Sequence, residues 1–470
     1  MHRSLLAGFV FCLLTSLACA AQRPNILFVY VDDLGWKDPG YMGTDFYETP
    51  NIDALAKGGM FFTDAYACAA NCAPSRACLQ SGQYTPRHRV FNVGTRPRGK
   101  AKFRRLIQVT GTMELRHDIV TWAEALQSVG YRTGMFGKWQ LHTPPGEQGY
   151  DVVVEYDKLP GFHKHLGPNG TYLADVLTDR TIDFIRENRD RPWCAYLAHF
   201  AVHAPLQPKE ELVDKYQAKQ PGKLHNNVAM ATMIQAVDDG VGRILEELKK
   251  LNLRENTVII FYSDNGGFGP ATDMDPLWGY KGTYYEGGIR VPFCVNWPGV
   301  IKEGQKTSEP IIGVDLYPTI LDIAGAKRPD QPLDGQSLLP LLKGEVKTLG
   351  ERPLFWHFPT YLQSYKGVFD EQRDPLFRTR PCSVVRMGNY KLHEYYEDGG
   401  LELYDLSKDI RERHNLAAEM PEKLNEMHQV LKAWRKSIKA PVPTKVNPKY
   451  DHKAEAKAIR RMKAKKKNKK

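Results

Sequence analysis

What the chain lacks narrows it first. Past the extreme N-terminus it has no apolar run approaching the ~20 residues that span a bilayer, which excludes a polytopic membrane protein. It has no internal repeat. Apolar and charged residues are not scarce: 42% hydrophobic and 25% charged is ordinary globular material, so disorder is not its main theme. Cysteine is sparse, eight in 470 residues, and Cys12 and Cys19 fall in the leader. The other six are Cys68, Cys72, Cys78, Cys194, Cys294 and Cys382. Three cluster and three are scattered singly. That spacing argues against a simple disulfide framework, even in an oxidising compartment. If Cys72 is reserved for chemistry, at least one of the remaining five must stay unpaired.

A charge surplus is also missing from most of the chain. The net charge is +11, but residues 445–470 alone hold twelve Lys/Arg and two acids. The body is therefore near neutral, and no nucleic-acid partner is expected. Residues 441–470 read as a Lys-rich, flexible tail. The functional alternative for that tail is contact with a polyanion or an anionic surface.

The N-terminus reads MHRSLLAGFVFCLLTSLACA. A basic start, a short apolar stretch and the small-x-small Ala18-Cys19-Ala20 make residues 1–21 a signal peptide. Lipid attachment at Cys19 is the competing reading. Either way the protein is expected to be exported, periplasmic or secreted, without an integral membrane segment.

Two apolar runs resemble each other. Residues 25–31 (NILFVYV) and 257–262 (TVIIFY) are continuous and rich in β-branched and aromatic residues, as strands buried on both faces require. Shorter strands are predicted at 131–136 and 193–200. Helices are predicted at 51–58, 121–129, 174–188 and 227–251, the last on a clear 3.6-residue period. Alternation of this kind predicts an α/β fold with a mainly parallel sheet, whose functional groups gather beyond the strands' carboxyl ends. The texture changes near residue 350. Residues 348–440 are expected to form a small C-terminal α+β subdomain with an antiparallel sheet, beside a catalytic domain at 22–347.

Both long strands end in acids: Asp32-Asp33 after the first, Asp264-Asn265-Gly266-Gly267 after the second. Three carboxylates and an amide oxygen suit Ca2+ or Mg2+ better than zinc. Asp-Asn-Gly-Gly is also ordinary turn chemistry.

Cys72-Ala73-Pro74-Ser75-Arg76, with Leu79, Ser81 and Gly82 downstream, resembles the Cys-x-Pro-Ser-Arg signature of the type I, formylglycine-dependent sulfatases, arylsulfatase-like members of the alkaline phosphatase superfamily. Further segments match in family order: PNILFVYVDDLGW at 24–36, Gly137-Lys138-Trp139, His203-Ala204-Pro205, the Ser-Asp-Asn-Gly at 263–266, and KGTYYEGGIRVP at 281–292. The resemblance implies the sulfatase fold and hydrolysis of a sulfate ester, on a sulfated polysaccharide or glycosaminoglycan fragment. It implies that Cys72 is oxidised to formylglycine by a formylglycine-generating or radical sulfatase-maturating enzyme. The hydrated aldehyde then attacks sulfur beside a Ca2+ held by Asp32, Asp33, Asp264, Asn265 and the oxygen on residue 72. Arg76 would stabilise that hydrate. Lys138 and Lys281 would bind sulfate oxygens, and His203 would protonate the leaving alcohol.

One position departs from the family pattern, with Gln140 where a His is usual. Glutamine can orient by hydrogen bonds but cannot act as a base near neutral pH. His142 is a candidate substitute or substrate contact. His357, in the aromatic segment 355–361, is a candidate sugar contact. The competing functions are a phosphodiesterase or phosphonate monoester hydrolase of the same superfamily, and a degenerate protein that only binds sulfated glycans.

Overall fold

The computed structural model describes residues 23–365, 373 and 375–467. The signal-peptide reading of residues 1–21 lies outside the described residues. Among the described residues no helix is long and apolar enough to cross a membrane.

The main sheet has eight strands: β1 Asn25–Val31, β2 Met60–Phe62, β3 Arg132–Gly137, β4 Val152–Glu155, β5 Trp193–Ala198, β6 Thr257–Ser263, β7 Phe293–Asn296 and β8 Gln305–Thr307. Their order is β4-β3-β5-β1-β6-β7-β2-β8. The five strands from β4 to β6 run parallel. The antiparallel β7 then breaks the pattern.

Strand β1 shows why the sheet is central. Ile26, Phe28 and Tyr30 join one apolar cluster, while Leu27, Val29 and Val31 join another on the opposite face. A strand covered on both faces cannot alternate polar with apolar residues, which is why it reads as one continuous run. Helix α1 (Cys72–Ser81) lies on the first face. Helices α2 (Leu173–Glu187) and α3 (Val228–Lys250) cover the second.

The C-terminal sheet is antiparallel, with strands β9 Leu354–Phe358, β10 Cys382–Met387, β11 Tyr390–Tyr395 and β12 Leu401–Asp405 in that order. Helix α4 (Pro421–Ser437) packs on it through Met427 and Leu431. A buried ionic network ties this sheet to the main domain. Glu286 accepts from Tyr66 Oη at 2.7 Å and pairs with Arg290 at 3.2 Å and Lys391 at 2.9 Å. Arg386 reaches Asp64 at 3.0 Å.

The region expected to be a flexible tail is packed in its first part. Ile107 N donates to Lys445 O at 2.8 Å, Asn447 Nδ2 donates to Arg104 O at 2.7 Å, and helix α5 follows (His452–Lys467). Glu455 is buried and pairs with Arg380 at 2.7 Å. Lysine composition signals solvated side chains, but it says nothing about backbone groups, and here those find partners on the 101–107 segment. All six described cysteines are free and buried.

Candidate active site

Consecutive strand residues point to opposite faces, so Asp32 and Asp33 would diverge if β1 simply continued. Asp33 instead takes a left-handed φ of 61°, which aspartate tolerates better than most residues. Both carboxylates thereby join one cluster. Adjacent β6 delivers Asp264, whose Oδ1 accepts from Asp33 N at 3.1 Å, and Asn265, whose Nδ2 donates to Asp33 Oδ1 at 2.8 Å. The chain can turn there because position 266 is glycine: a Cβ would sit 2.0 Å from Gly287 O.

Helix α1 brings Cys72 and Arg76 to the same cluster from one turn, four residues apart. The Cys72 thiol lies 3.5 Å from Asp32 Oδ1. Arg76 stretches beneath it, donating to Lys138 O at 2.7 Å and Asp264 Oδ2 at 2.8 Å, with Asp32 at 3.4 Å. Lys138 follows β3 and pairs with Asp32. Gly137, at φ 117°, lets that strand end pass Ala198 O, where a Cβ would come within 1.9 Å. Lys281 pairs with Asp33 at 2.6 Å, and His203 Nε2 stands 3.8 Å from Asp33 Oδ2. His203 Nδ1 is 2.5 Å from Ala204 O. A carbonyl only accepts, so Nδ1 carries the hydrogen and Nε2 faces the cluster as the lone-pair nitrogen.

Three carboxylates thus meet three cations in a water-poor site. Burial opposes ionisation of Asp32, but Lys138, His203 and Arg76 outweigh it and hold Asp32 well below the usual carboxylate range. Asp264 goes the other way: burial, then the Asp32 charge, push it up to about 7. Burial and Asp32 also raise the Cys72 thiol to about 12. An unmodified Cys72 is therefore protonated near neutral pH and a poor nucleophile. Burial, with Lys138 and Lys281, lowers His203 to about 4.

The donor chemistry fits a hard divalent cation. Candidate ligand atoms of Asp32, Asp33, Cys72 and His203 all lie within 4.8 Å of one another. Asn265 Oδ1 is buried without a hydrogen-bond partner, and leaving such an oxygen unmatched costs about 1–3 kcal/mol. An oxygen-rich set with an unmatched amide oxygen is what calcium or magnesium takes.

The cluster opens into a cavity of about 290 Å³ lined by Cys72, Asp33, His203, Lys281 and Gln140. A larger cavity of about 440 Å³, near β4 and α2, lies away from this chemistry. Gln140 adopts φ 65°, and its Oε1 is buried without a partner. His142, two residues on, is exposed and does not line the cavity. His357 is elsewhere altogether. It is 2% exposed, with Nδ1 2.7 Å from Ser383 Oγ and Nε2 3.0 Å from Pro441 O. Its ring holds β9 to β10 and to the chain after α4, and it does not line the cavity. The sequence reading missed Asn92, Arg98, Tyr365 and Arg378, which also line the cavity. They come from loops with no motif. Only their polar and aromatic character, shared with many loops, was visible.

Comparison with known proteins agrees with this geometry. The Sulfatase family model matches residues 24–326, and the model described as N-sulphoglucosamine sulphohydrolase, C-terminal, matches 277–439. A sulfatase of Formosa agariphila is 34% identical, with 90% of each chain covered. Human arylsulfatase A is 30% identical over 88% of this chain and 87% of its own. Among solved structures, Ps i-CgsB in complex with k-i-k-neocarrahexaose superposes with a TM-score of 0.73 and 28% identity, covering 94% of this chain and 98% of the other. A matched family model over most of the chain, with the Cys72-bearing helix and the acid-ended strands in one site, places the chain in the sulfatase family of the alkaline phosphatase superfamily, as an enzyme that hydrolyses sulfate esters.

Proposed function

We propose that the protein removes sulfate from a sulfated polysaccharide or glycosaminoglycan fragment, with Cys72 converted to formylglycine and one Ca2+ held by Asp32, Asp33, Asp264, Asn265 and the oxygen on residue 72. The observation that carries this reading is the buried cluster itself: Cys72 3.5 Å from Asp32 beside an oxygen-rich ligand set, ringed by Arg76, Lys138 and Lys281. When present, the aldehyde hydrate supplies the nucleophile and the cation supplies positive charge at the sulfate. A formylglycine-generating or radical sulfatase-maturating enzyme makes the aldehyde, and the protein works after export.

The chain's own residues do the rest. Lys138 and Lys281, each drawn onto an aspartate here, take sulfate oxygens and so orient sulfur over residue 72. Arg76 holds Asp32 and Asp264 in register and faces the nucleophile's side of the cluster. In the free site His203 is neutral and cannot give a proton from Nε2. An anionic sulfate within its reach opposes Lys138 and Lys281 and raises it, which makes His203 the acid for the leaving alcohol. Lys281 backs that proton. Gln140, with its free Oε1, accepts a hydrogen bond from the hydroxyl at residue 72 or from substrate. The carbohydrate assignment is supported by likeness to the neocarrahexaose complex and to the N-acetylgalactosamine-6-sulfatase of dog, 29% identical over 91% of this chain.

The test is a matched set of aryl sulfate, aryl phosphate diester and aryl phosphonate, with mass analysis of the peptide spanning residue 72. Preferred sulfate turnover in the formylglycine-bearing fraction is expected. Faster phosphodiester or phosphonate turnover, or full activity with an unmodified thiol, would overturn it.

A further inference from the structure

Between Asp64 and Glu114 the chain carries nine Lys/Arg and no Asp or Glu. The mechanism uses one of them, Arg76. Arg98, with Asn92 and Val93, lines the cavity over Cys72. From there Arg96, Lys100, Lys102 and Arg105 lead outward, all exposed. The basic segment after Ala440 is bound to this same stretch. Asn447 N donates to Arg105 O at 2.9 Å, Asp451 N donates to Lys102 O at 3.0 Å, and Asn447 Nδ2 donates to Ala101 O at 2.9 Å. That seat brings exposed Lys445 and Lys449 to the loop, and exposed Lys453, Lys457 and Arg460 follow on α5. Among the described residues none of these side chains has a carboxylate partner, and Glu455, the nearest acid on α5, is taken by Arg380.

Two like-charged segments are thus clamped together by neutral backbone bonds. Their mutual repulsion falls when a polyanion covers them, and an attraction of this kind is strongly salt-dependent. We infer that loop 93–107 and the docked segment 445–463 form one basic track that carries a sulfated polysaccharide chain out of the active-site cavity. The inference rests on the sulfate-ester reading of that cavity. Continuity favours polysaccharide over other polyanions, because the track starts at the cavity wall and the polymer's reacting sulfate has to enter there. Ile107 and Val446, 49% and 69% exposed, come from these two segments. Two side chains are too few for a membrane-inserting face, so a lipid surface is the competing outcome.

The test compares full-length protein with a variant in which Lys449, Lys453, Lys457 and Arg460 are each changed to Gln. Binding is measured in a Cys72→Ala background against heparin, double-stranded DNA and phosphatidylserine/phosphatidylcholine vesicles at ~0.1 M salt, where charges act over ~10 Å. Heparin is expected to bind most tightly, and its Kd to rise about tenfold in the variant, with a shallower salt dependence. In active enzyme heparin should inhibit aryl sulfate turnover competitively. Its Ki should rise about tenfold in the variant, with kcat and KM for the aryl ester unchanged. Unchanged heparin affinity in the variant, tighter binding to DNA or vesicles, or non-competitive inhibition overturns the track. If the wild type turns over no aryl sulfate, the sulfatase reading fails separately, and the binding comparison still decides the track.

Discussion

Glu286 and Lys391 meet at 2.9 Å with no solvent exposure on either side chain, joining the main domain to the C-terminal sheet. Glu286 belongs to a motif that sequence reading placed with the chemistry, yet its carboxylate points to structure. Burial opposes ionisation of Glu286, but Lys391, Arg290 and Arg386 overcome it and lower its pKa from 4.5 to about 2. A carboxyl depressed on folding adds stability above its unfolded pKa and loses it as pH falls towards the folded one. The expected outcome is a stability loss on the order of 3 kcal/mol between pH 4.5 and 2 from this group. Glu412, which shares Lys391, is pushed up by burial to about 7 and cannot be the source of that acid slope. Denaturant unfolding across this range checks it: the slope should flatten in Glu286→Gln. Lys391→Met should cost ~3–5 kcal/mol by leaving two buried carboxylates short of a partner.

The proposed cation site predicts a separation of folding from chemistry. Asp33→Ala should keep the wild-type circular dichroism spectrum and lose bound calcium, read by elemental analysis. Turnover should fall by at least ~10²-fold, the scale of losing one well-placed electrostatic group. Full activity in this variant after exhaustive chelation would remove the metal from the reaction.

Gln140 and His142 make a paired prediction. The first lines the cavity with an unmatched oxygen, while the second faces solvent. His142→Ala should leave kcat and KM for an aryl sulfate within about twofold, since surface changes usually cost under ~0.5 kcal/mol. Gln140→Ala should lower kcat/KM about two- to tenfold, the range for a hydrogen bond between neutral groups. A burst of alcohol followed by slow turnover in His142→Ala would reverse this assignment.

For His357 the expectation is stability without catalysis. His357→Leu strands Pro441 O and leaves Ser383 Oγ with Tyr396 Oη alone, and should cost ~1–3 kcal/mol in denaturant unfolding. KM for a small ester should not move. A raised KM in a variant of unchanged stability would put the ring back in a substrate path.

How much of this was legible in the sequence follows from what each feature depends on. Strand β1 was readable to the residue, because burial on both faces leaves an unbroken apolar run. Strand β6 and helix α3 were nearly so. Strands β2, β7 and β8, three or four residues each, carry too few positions to show a period, so the end of the sheet where β7 runs antiparallel went unseen. The site's core was legible because Asp32, Asp33, Cys72, Arg76 and Asp264 come from short, ordered motifs. His142 and His357 lie off the cavity, which the sequence could not show because a loop's direction depends on what it packs against. For His357 that is Ser383 and Pro441, far along the chain. The docked basic segment was misread for a related reason: charge predicts where side chains go, whereas its seat is made by backbone groups of residues 101–107.

Cys72 is 1% exposed, and every residue of α1 is buried. Asp264, against which Arg76 closes, is added to the chain 192 residues after Cys72. On the proposed function, an enzyme that rewrites the Cys72 side chain therefore faces a deadline. It has to meet a flexible peptide while β6 is still unpaired, during synthesis or transit, because the finished fold leaves no room for a second active site around that thiol. Folded protein made without the modifying enzyme should stay unconverted when the enzyme is added late, and convert once unfolded. Catalytic competence is then decided by a race between folding and modification, and a change that merely speeds closure of the main sheet would yield more folded protein and less enzyme.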